Sequence, residues 1–301
     1  MSGKRVVSVG IAVMDKIFGV PDIPSSPIKV FAKSYGEIGG GPAATGSVAI
    51  ARLGGRAELW ARVGDDAVGA RIIEELGEWG VEPRLRRVPG AASSVSGVLV
   101  DDRGERLIVS FSDDALDPDA SWLPLDAIDR ADAVLADTRW PDGSEAVLKA
   151  ARGAGVPCVL DADLAPDEVA HRLVPLADYV IFSAPALARF AGLPDAADLA
   201  EALALVEGRC PGILGVTVGA EGFLWLEGGQ LRHAPAPAVT VVDTLGAGDV
   251  FHGAFALAIA EGRSVAEAAR FANMAAALKC TRPGGRAGIP DRAEVDLALC
   301  C

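Results

Sequence analysis

Short apolar runs rich in β-branched residues alternate with longer alanine-rich stretches along almost the whole chain, and few folds accept that pattern. The runs RVVSVGI (5–11), AELWARV (57–63), AVLAD (133–137), VPCVLD (156–161), YVIFS (179–183) and ILGVTV (213–218) read as strands. Between them, 42–54, 67–79, about 144–154, 165–175, 185–191 and 196–207 carry helical spacing, and Asp249 to Cys280 is almost wholly helical in pattern. Strands with no polar alternation need cover on both faces, which predicts an α/β unit: a mainly parallel sheet with helices on either side. Two segments break the alternation, 17–38 and 93–111. Both read as antiparallel strands, the second turning at DDRG. They leave and rejoin the α/β part, so they are expected to form one small sheet over the site, a lid, within a single unit spanning 1–301.

Composition removes several functions. With 23% charged residues and 50% hydrophobic ones the chain is not disordered. A formal net charge of −13 makes it a poor partner for nucleic acid or an anionic membrane. No apolar run approaches the roughly 18 residues of a membrane span, and MSGKRVVSVGIAVMD reads as a first strand, not a signal peptide. The cysteines (158, 210, 280, 300, 301) are odd in number and lack metal-type spacing, which fits free thiols in a reducing cytoplasm. His171, His233 and His252 form no cluster. The lid sheet would have an apolar face and free edges, so a homodimer formed through it is expected.

The chemistry concentrates in DTLGAGDVFHGAF, Asp243 to Phe255. Gly246, Ala247 and Gly248 let the backbone approach a ligand. Their amides and that of Asp249 would lie at a helix N-terminus, which favours an anion. A carboxylate beside a bound phosphate is unfavourable unless a proton must be removed there, so Asp249 reads as a base next to a phosphate cradle. The same string also fits an ordinary turn with Asp249 capping the helix. Ligands in parallel sheets bind beyond the carboxyl ends of the strands, which selects Asp15, Asp137, Thr138, Arg139, Asp161, Asp163, Ser183, Thr217, Gly219 and Gly222. The run Gly39-Gly40-Gly41 before Pro42 would let a polyol approach the backbone, or would simply be a turn feeding a helix. Arg62-Val63-Gly64-Asp65-Asp66 suits structural duty as well as ligand contact.

Taken together, GIAVMD, the glycine run, RVGDD, VTVGAEG, DTLGAGD and KCTRPGGRAGIP resemble the ribokinase-like sugar kinases of the PfkB family over essentially the whole length. The resemblance implies a three-layer α/β/α fold with a β lid and an ATP- and Mg2+-dependent transfer of phosphate to a sugar hydroxyl. It implies Asp249 as catalytic base, with Gly246, Ala247 and Gly248 forming the anion hole. Asp15 and Gly39, Gly40 and Gly41 would hold the sugar, and Thr217, Gly219 and Gly222 the nucleotide. Asp243 and Thr244, with the loop 284–288, occupy positions that bind a monovalent cation in many relatives. Two departures stand out: Ala44 where ribose and fructose kinases usually have asparagine, and Ser183-Ala184-Pro185-Ala186 where an N-x-x-E element is common. EIGGGPAAT, DRGER, VLADTRWPDG and ALKCTRPGGRAGIP resemble the branch acting on 6-deoxy-6-sulfofructose. That implies an anionic small-molecule sugar phosphorylated at its 1-hydroxyl, with Arg139, Lys29 and Ser110 facing the sulfonate. Arg139 also fits a salt bridge to Asp137 or Asp142, and Lys29 a solvated charge. Kinases for fructose 6-phosphate, fructose, ketodeoxygluconate or ribose, and a non-catalytic sensor of the same fold, stay open at this point.

Overall fold

The computed structural model describes residues 3–194 and 198–300. In chain order the elements are β1 (Arg5–Val9), β2 (Val13–Gly19), β3 (Ser34–Gly40), α1 (Pro42–Arg52), β4 (Arg56–Gly64), α2 (Ala67–Glu78) and β5 (Glu82–Val88). Then come β6 (Val95–Val100), β7 (Arg106–Phe111), β8 (Ala133–Asp137), α3 (Pro141–Ala154), β9 (Cys158–Ala162), α4 (Asp167–Leu173), β10 (Tyr179–Ser183), α5 (Ala184–Ala191) and α6 (Leu199–Val206). The last are β11 (Ile213–Thr217), β12 (Phe223–Glu227), β13 (Gln230–Ala234), α7 (Ala247–Ala260), α8 (Val265–Cys280) and α9 (Arg292–Leu299).

The main sheet runs β13-β12-β11-β10-β9-β8-β1-β4-β5. It is parallel from β5 to β11, and the hairpin β12–β13 is antiparallel. Strand residues divide between two cores by the period of two that pleating imposes. Val6, Leu59, Leu135, Val159 and Ile181 pack with α1, α7 and α8 on one side. Val7, Val9, Trp60, Val134, Leu160 and Phe182 pack with α3, α5 and α6 on the other. The result is three layers, α/β/α, with both faces of the sheet covered.

β1 lies between β4 and β8, so chain order reverses there, and such a switch point opens a crevice at the carboxyl ends of the strands. The small sheet leaves the chain at that point, in the order β3-β2-β6-β7. Its β2–β3 and β6–β7 pairs are antiparallel, but β2 and β6 are parallel, which the expectation of purely antiparallel strands missed. The reason is topological: β2 and β6 come from separate excursions and approach in the same direction. Within 17–38 only the two ends are strand, β2 begins at Val13, and residues 20–33 lie outside the sheet. Three strands of the main sheet, β5, β12 and β13, were not expected, although the apolar run Phe223-Leu224-Trp225-Leu226 before two glycines was a strand and hairpin signal. β5 is an arginine-rich edge, and β12–β13 turn at Gly228-Gly229. The expected helix at 196–207 begins, among described residues, at Leu199, and 196–197 lie outside them.

Candidate active site

The first turn of α7 is the centre of the site. Gly246 caps it in the left-handed region (φ 74°), a conformation that disfavours a Cβ. The Ala247 amide donates to the Thr244 carbonyl at 3.1 Å. That leaves the amides of Gly248 and Asp249 as the donors a helix start presents to solvent or ligand. A side chain at Gly248 would enter open space, with nothing within 4 Å of its Cβ. The turn is a wall shared by two cavities. On one side Thr244, Ala247 and Gly248 line an apolar groove of about 570 Å³ together with Thr217, Gly219 and Gly222. On the other, Gly246 and Asp249 line a pocket of about 40 Å³ with Asp15, Gly39, Gly40, Gly41, Thr45 and Arg286. The residues assigned to nucleotide and to sugar thus fall on opposite sides of one helix start.

The smaller pocket owes its shape to the glycine run. A Cβ at Gly40 would lie 2.3 Å from Asp15 Oδ2, and one at Gly39 would lie 1.8 Å from a guanidinium nitrogen of Arg286. Only glycine lets those side chains stand against the β3 backbone. Arg286 is buried, donates to Glu75 Oε2 at 2.5 Å and to the Gly40 carbonyl at 2.9 Å, and so locks the end of β3 to α2. Asp15 lies on β2 itself and not on a loop after β1. It stands in register with Ile38, Ser96 and Ser110, a row on one face of the small sheet. The Ser96 and Ser110 hydroxyls are 3.3 Å apart, so Ser110 connects to Asp15 through Ser96.

Burial decides the electrostatics. It pushes the Asp249 carboxyl up to about 7, helped by the charge of Asp161 and opposed by those of His252 and Arg286. Asp15 is raised for the same reason, with Ser96 and Arg286 working against burial. Asp137 and Asp161 are side by side at the ends of β8 and β9. Asp137 is raised by burial despite accepting from the amides of Ile11, Ala43 and Arg139. Asp161 is raised well above its usual range by burial and by Asp163 and Asp137. His252 Nδ1 lies 3.1 Å from Asp161 Oδ2, though not aligned as a hydrogen bond, and burial lowers its pKa. A base whose pKa lies near neutrality, facing a cavity beside unpaired amides, can accept a proton from an alcohol while an anion is held next to it.

The remaining sequence-selected residues divide. Arg139 is at the end of β8 with its guanidinium partly exposed, but its partner is Asp163 at 3.2 Å, not Asp137 or Asp142; Asp142 pairs with Arg172. Lys29 lies on the exposed 20–33 connection, its ammonium 5.3 Å from the Phe31 ring centre, and it does not line the pocket around Asp249. Thr217 Oγ1 donates to the Phe182 carbonyl at 3.3 Å, and Ser183 Oγ to Asp163 at 2.8 Å. Thr244 is exposed in the groove. Asp243 is held by Arg106 at 2.6 Å and by Lys279 at 3.2 Å. Asp66 caps α2 through the Gly69 amide and Asp65 pairs with Arg87, so that turn is structural.

Sequence reasoning did not single out Arg286, Glu75 or Lys279. Arg286 and Lys279 lie in or beside KCTRPGGRAGIP, and a charge within an otherwise small-residue loop was the available signal. Glu75 has no such signal: it is one of several acids on α2, and only the approach of Arg286 distinguishes it.

Known proteins share this fold and much of its sequence. Residues 4–292 match the pfkB family of carbohydrate kinases. The chain is similar to the ribokinase of Bacillus subtilis, 30% identical with 98% of this chain and 99% of that one covered. Among solved structures it is similar to a candidate ribokinase from Agrobacterium tumefaciens (42% identity, TM-score 0.94, 99% and 97% covered). It is also similar to the Arabidopsis thaliana ribokinase complexed with ribose and ATP (29% identity, TM-score 0.87, 99% of each chain covered). The three-layer fold with its separate small sheet and a match over nearly every residue lead to one conclusion: the chain belongs to the pfkB family of carbohydrate kinases, phosphotransferases acting on a hydroxyl group.

Proposed function

We propose that this protein transfers the γ-phosphate of ATP to the 1-hydroxyl of 6-deoxy-6-sulfofructose, with Asp249 as general base. The observation that carries the kinase part is the Asp249 carboxyl lining the small pocket, with a pKa near 7, on the same helix turn whose Ala247 and Gly248 line the groove. Asp249 takes the proton as the hydroxyl oxygen attacks, and the Gly248 and Asp249 amides stabilise the charge that gathers on the transferring group. The groove fits a nucleotide: its walls are apolar along Ala236–Val239, Phe251, Ala276 and Ala277, and Gly248 leaves room where a side chain would intrude. ATP with magnesium supplies the phosphoryl group and neutralises its charge. Among the described residues no three acidic, histidine or cysteine side chains form a metal cage, so magnesium would be carried on the phosphates, as is usual for that ion.

The acceptor reading rests on Arg139 and Ala44. The Arg139 fork stands just past the end of β8, paired with Asp163 and outside the lining of the pocket around Asp249, and would have to turn from Asp163 for three sulfonate oxygens to engage it. Ala44 is buried and offers no side-chain donor for a plain sugar hydroxyl. Ser110, in the row with Ser96 and Asp15, could add a hydroxyl, whereas Lys29 would have to move inward. A second reading, ribose, is favoured by the acidic surroundings of the pocket (Asp15, Asp137, Asp161, Asp249), which suit a neutral polyol, and by the ribose held in the Arabidopsis relative. Release of ADP measured over 6-deoxy-6-sulfofructose, fructose 6-phosphate, fructose, ribose and ketodeoxygluconate separates them. Highest kcat/KM on the sulfonate, lost in Arg139→Ala, is expected. Preference for ribose with no effect of Arg139→Ala would overturn the sulfofructose assignment.

In this reading the small sheet is the lid, and its outer face is where a second copy packs. Tyr35, Leu107, Val109 and Phe111 share the face away from Asp15 and are 58%, 39%, 64% and 49% exposed.

A further inference from the structure

The Asp243 carboxylate and the loop after α8 occupy the place where the family resemblance implies a monovalent cation, and the residues present do not fit one. Lys279, on the last turn of α8, is fully buried. Its ammonium stands 2.8 Å from the Asp243 carbonyl oxygen and 3.2 Å from Asp243 Oδ2. Arg106, reaching in from β7 of the small sheet, donates to Oδ1 at 2.6 Å. The same carboxylate accepts from the amides of Leu245 (2.8 Å), Gly284 (3.1 Å) and Gly285 (3.2 Å). Five donors therefore converge on two oxygens that offer about four lone-pair positions. Nearby carbonyls are also engaged: Lys279 accepts from Arg282, Cys280 from Val242 and Asp243, Gly284 from Ala287 and Arg286 from Ile289. Charge points the same way. One carboxylate already faces two cationic side chains, and a third positive charge would be opposed at close range.

We propose that the Lys279 ammonium is a covalently attached replacement for the monovalent cation, so that this protein neither binds nor needs potassium. Lys279 holds the Asp243 carbonyl, and the Asp243 side chain holds the Leu245 amide one residue before Gly246. The charge thus fixes the turn that leads into α7 without an exchangeable ion. The inference rests on reading that turn as the phosphate cradle, but the cation itself can be tested without nucleotide.

The decisive measurement is thallium-205 NMR, with thallous ion as the potassium mimic, on the wild type alone and with Mg-ADP. Linewidths that stay flat as protein is added are expected. Saturable broadening reversed by potassium would overturn the proposal. Lys279→Ala, which vacates the position, should gain potassium-reversible broadening, and a folded variant that gains none would also overturn it. Should that variant fail to fold, the wild-type measurement still decides. In parallel, the melting-temperature rise caused by Mg-ADP should be equal in potassium and tetramethylammonium chloride. A rise at least about twofold larger in potassium would contradict the inference while leaving nucleotide binding intact. No rise in either salt would count against the kinase reading alone, because the thallium result stands apart from it.

Discussion

At the scale of single residues, Asp249 joins chemistry and stability through one property. Its carboxyl is pushed from 3.8 to about 7, chiefly by burial. The base form is therefore incomplete at neutral pH, and kcat/KM should rise with pH on a limb centred near 7. Asp249→Asn should lower turnover by about 10²-fold or more, the usual worth of a general base, while nucleotide binding persists. The stability effect has the opposite sign. A group whose folded pKa exceeds its unfolded value binds more protons folded than unfolded between those values, so stability falls as pH rises through that window. Asn cannot ionise, so Asp249→Asn should melt higher than the wild type near pH 8, the gain shrinking toward pH 4. Melting curves at the two pH values check this; a variant less stable than wild type at pH 8 would mean that the carboxylate is not under strain. Asp249 stood out in the sequence because a string of small residues before an acid marks a helix start open to a ligand, although an ordinary capped turn reads the same way. Arg286 was not, because its role is made by Glu75 and the Gly40 carbonyl, which lie far away in the chain.

At the scale of elements, the α7 start shows how two neighbouring glycines serve different ends. Gly246 has φ 74°, and its Cβ would lie 3.3 Å from Thr45 Cγ2. Gly246→Ala should therefore cost about 1–2 kcal/mol through backbone strain, with turnover falling roughly tenfold or more as the amides shift. Gly248 is helical and its Cβ meets nothing. Gly248→Ala should keep or raise stability, since alanine is the better helix former by about 1 kcal/mol, yet lose activity by filling the groove where the phosphates are proposed to lie. Denaturant unfolding beside ADP release on each variant separates the two. Equal stability losses would show that the second glycine is structural too. Strands with continuous apolar runs, such as β8 and β10, were readable for the same kind of reason: burial on both faces leaves no polar alternation. β5, with arginines at 84, 86 and 87, is an edge and lacks that signature.

At the scale of the whole molecule, the small sheet presents one face to the site and one to solvent. Val109→Glu places a charge in the middle of the outer apolar row and should convert a dimer to a monomer. Sedimentation equilibrium of both proteins tests it, and a wild type that is monomeric throughout would remove the proposed interface. Among the described residues no helix is long and apolar enough to cross a membrane. The sequence by itself determined the three layers, the acid behind a glycine-rich helix start, and the rim of strand-end polar groups. Those depend on local patterns of burial and backbone freedom that neighbouring residues impose. Only the tertiary structure decided what each charge faces. It set Arg139 against Asp163, left Lys29 in solvent, locked Arg286 beneath the glycine run and inserted Lys279 where a cation was expected. A charge interacts with whatever lies within a few ångströms, and the chain brings residues that close from any distance along its length.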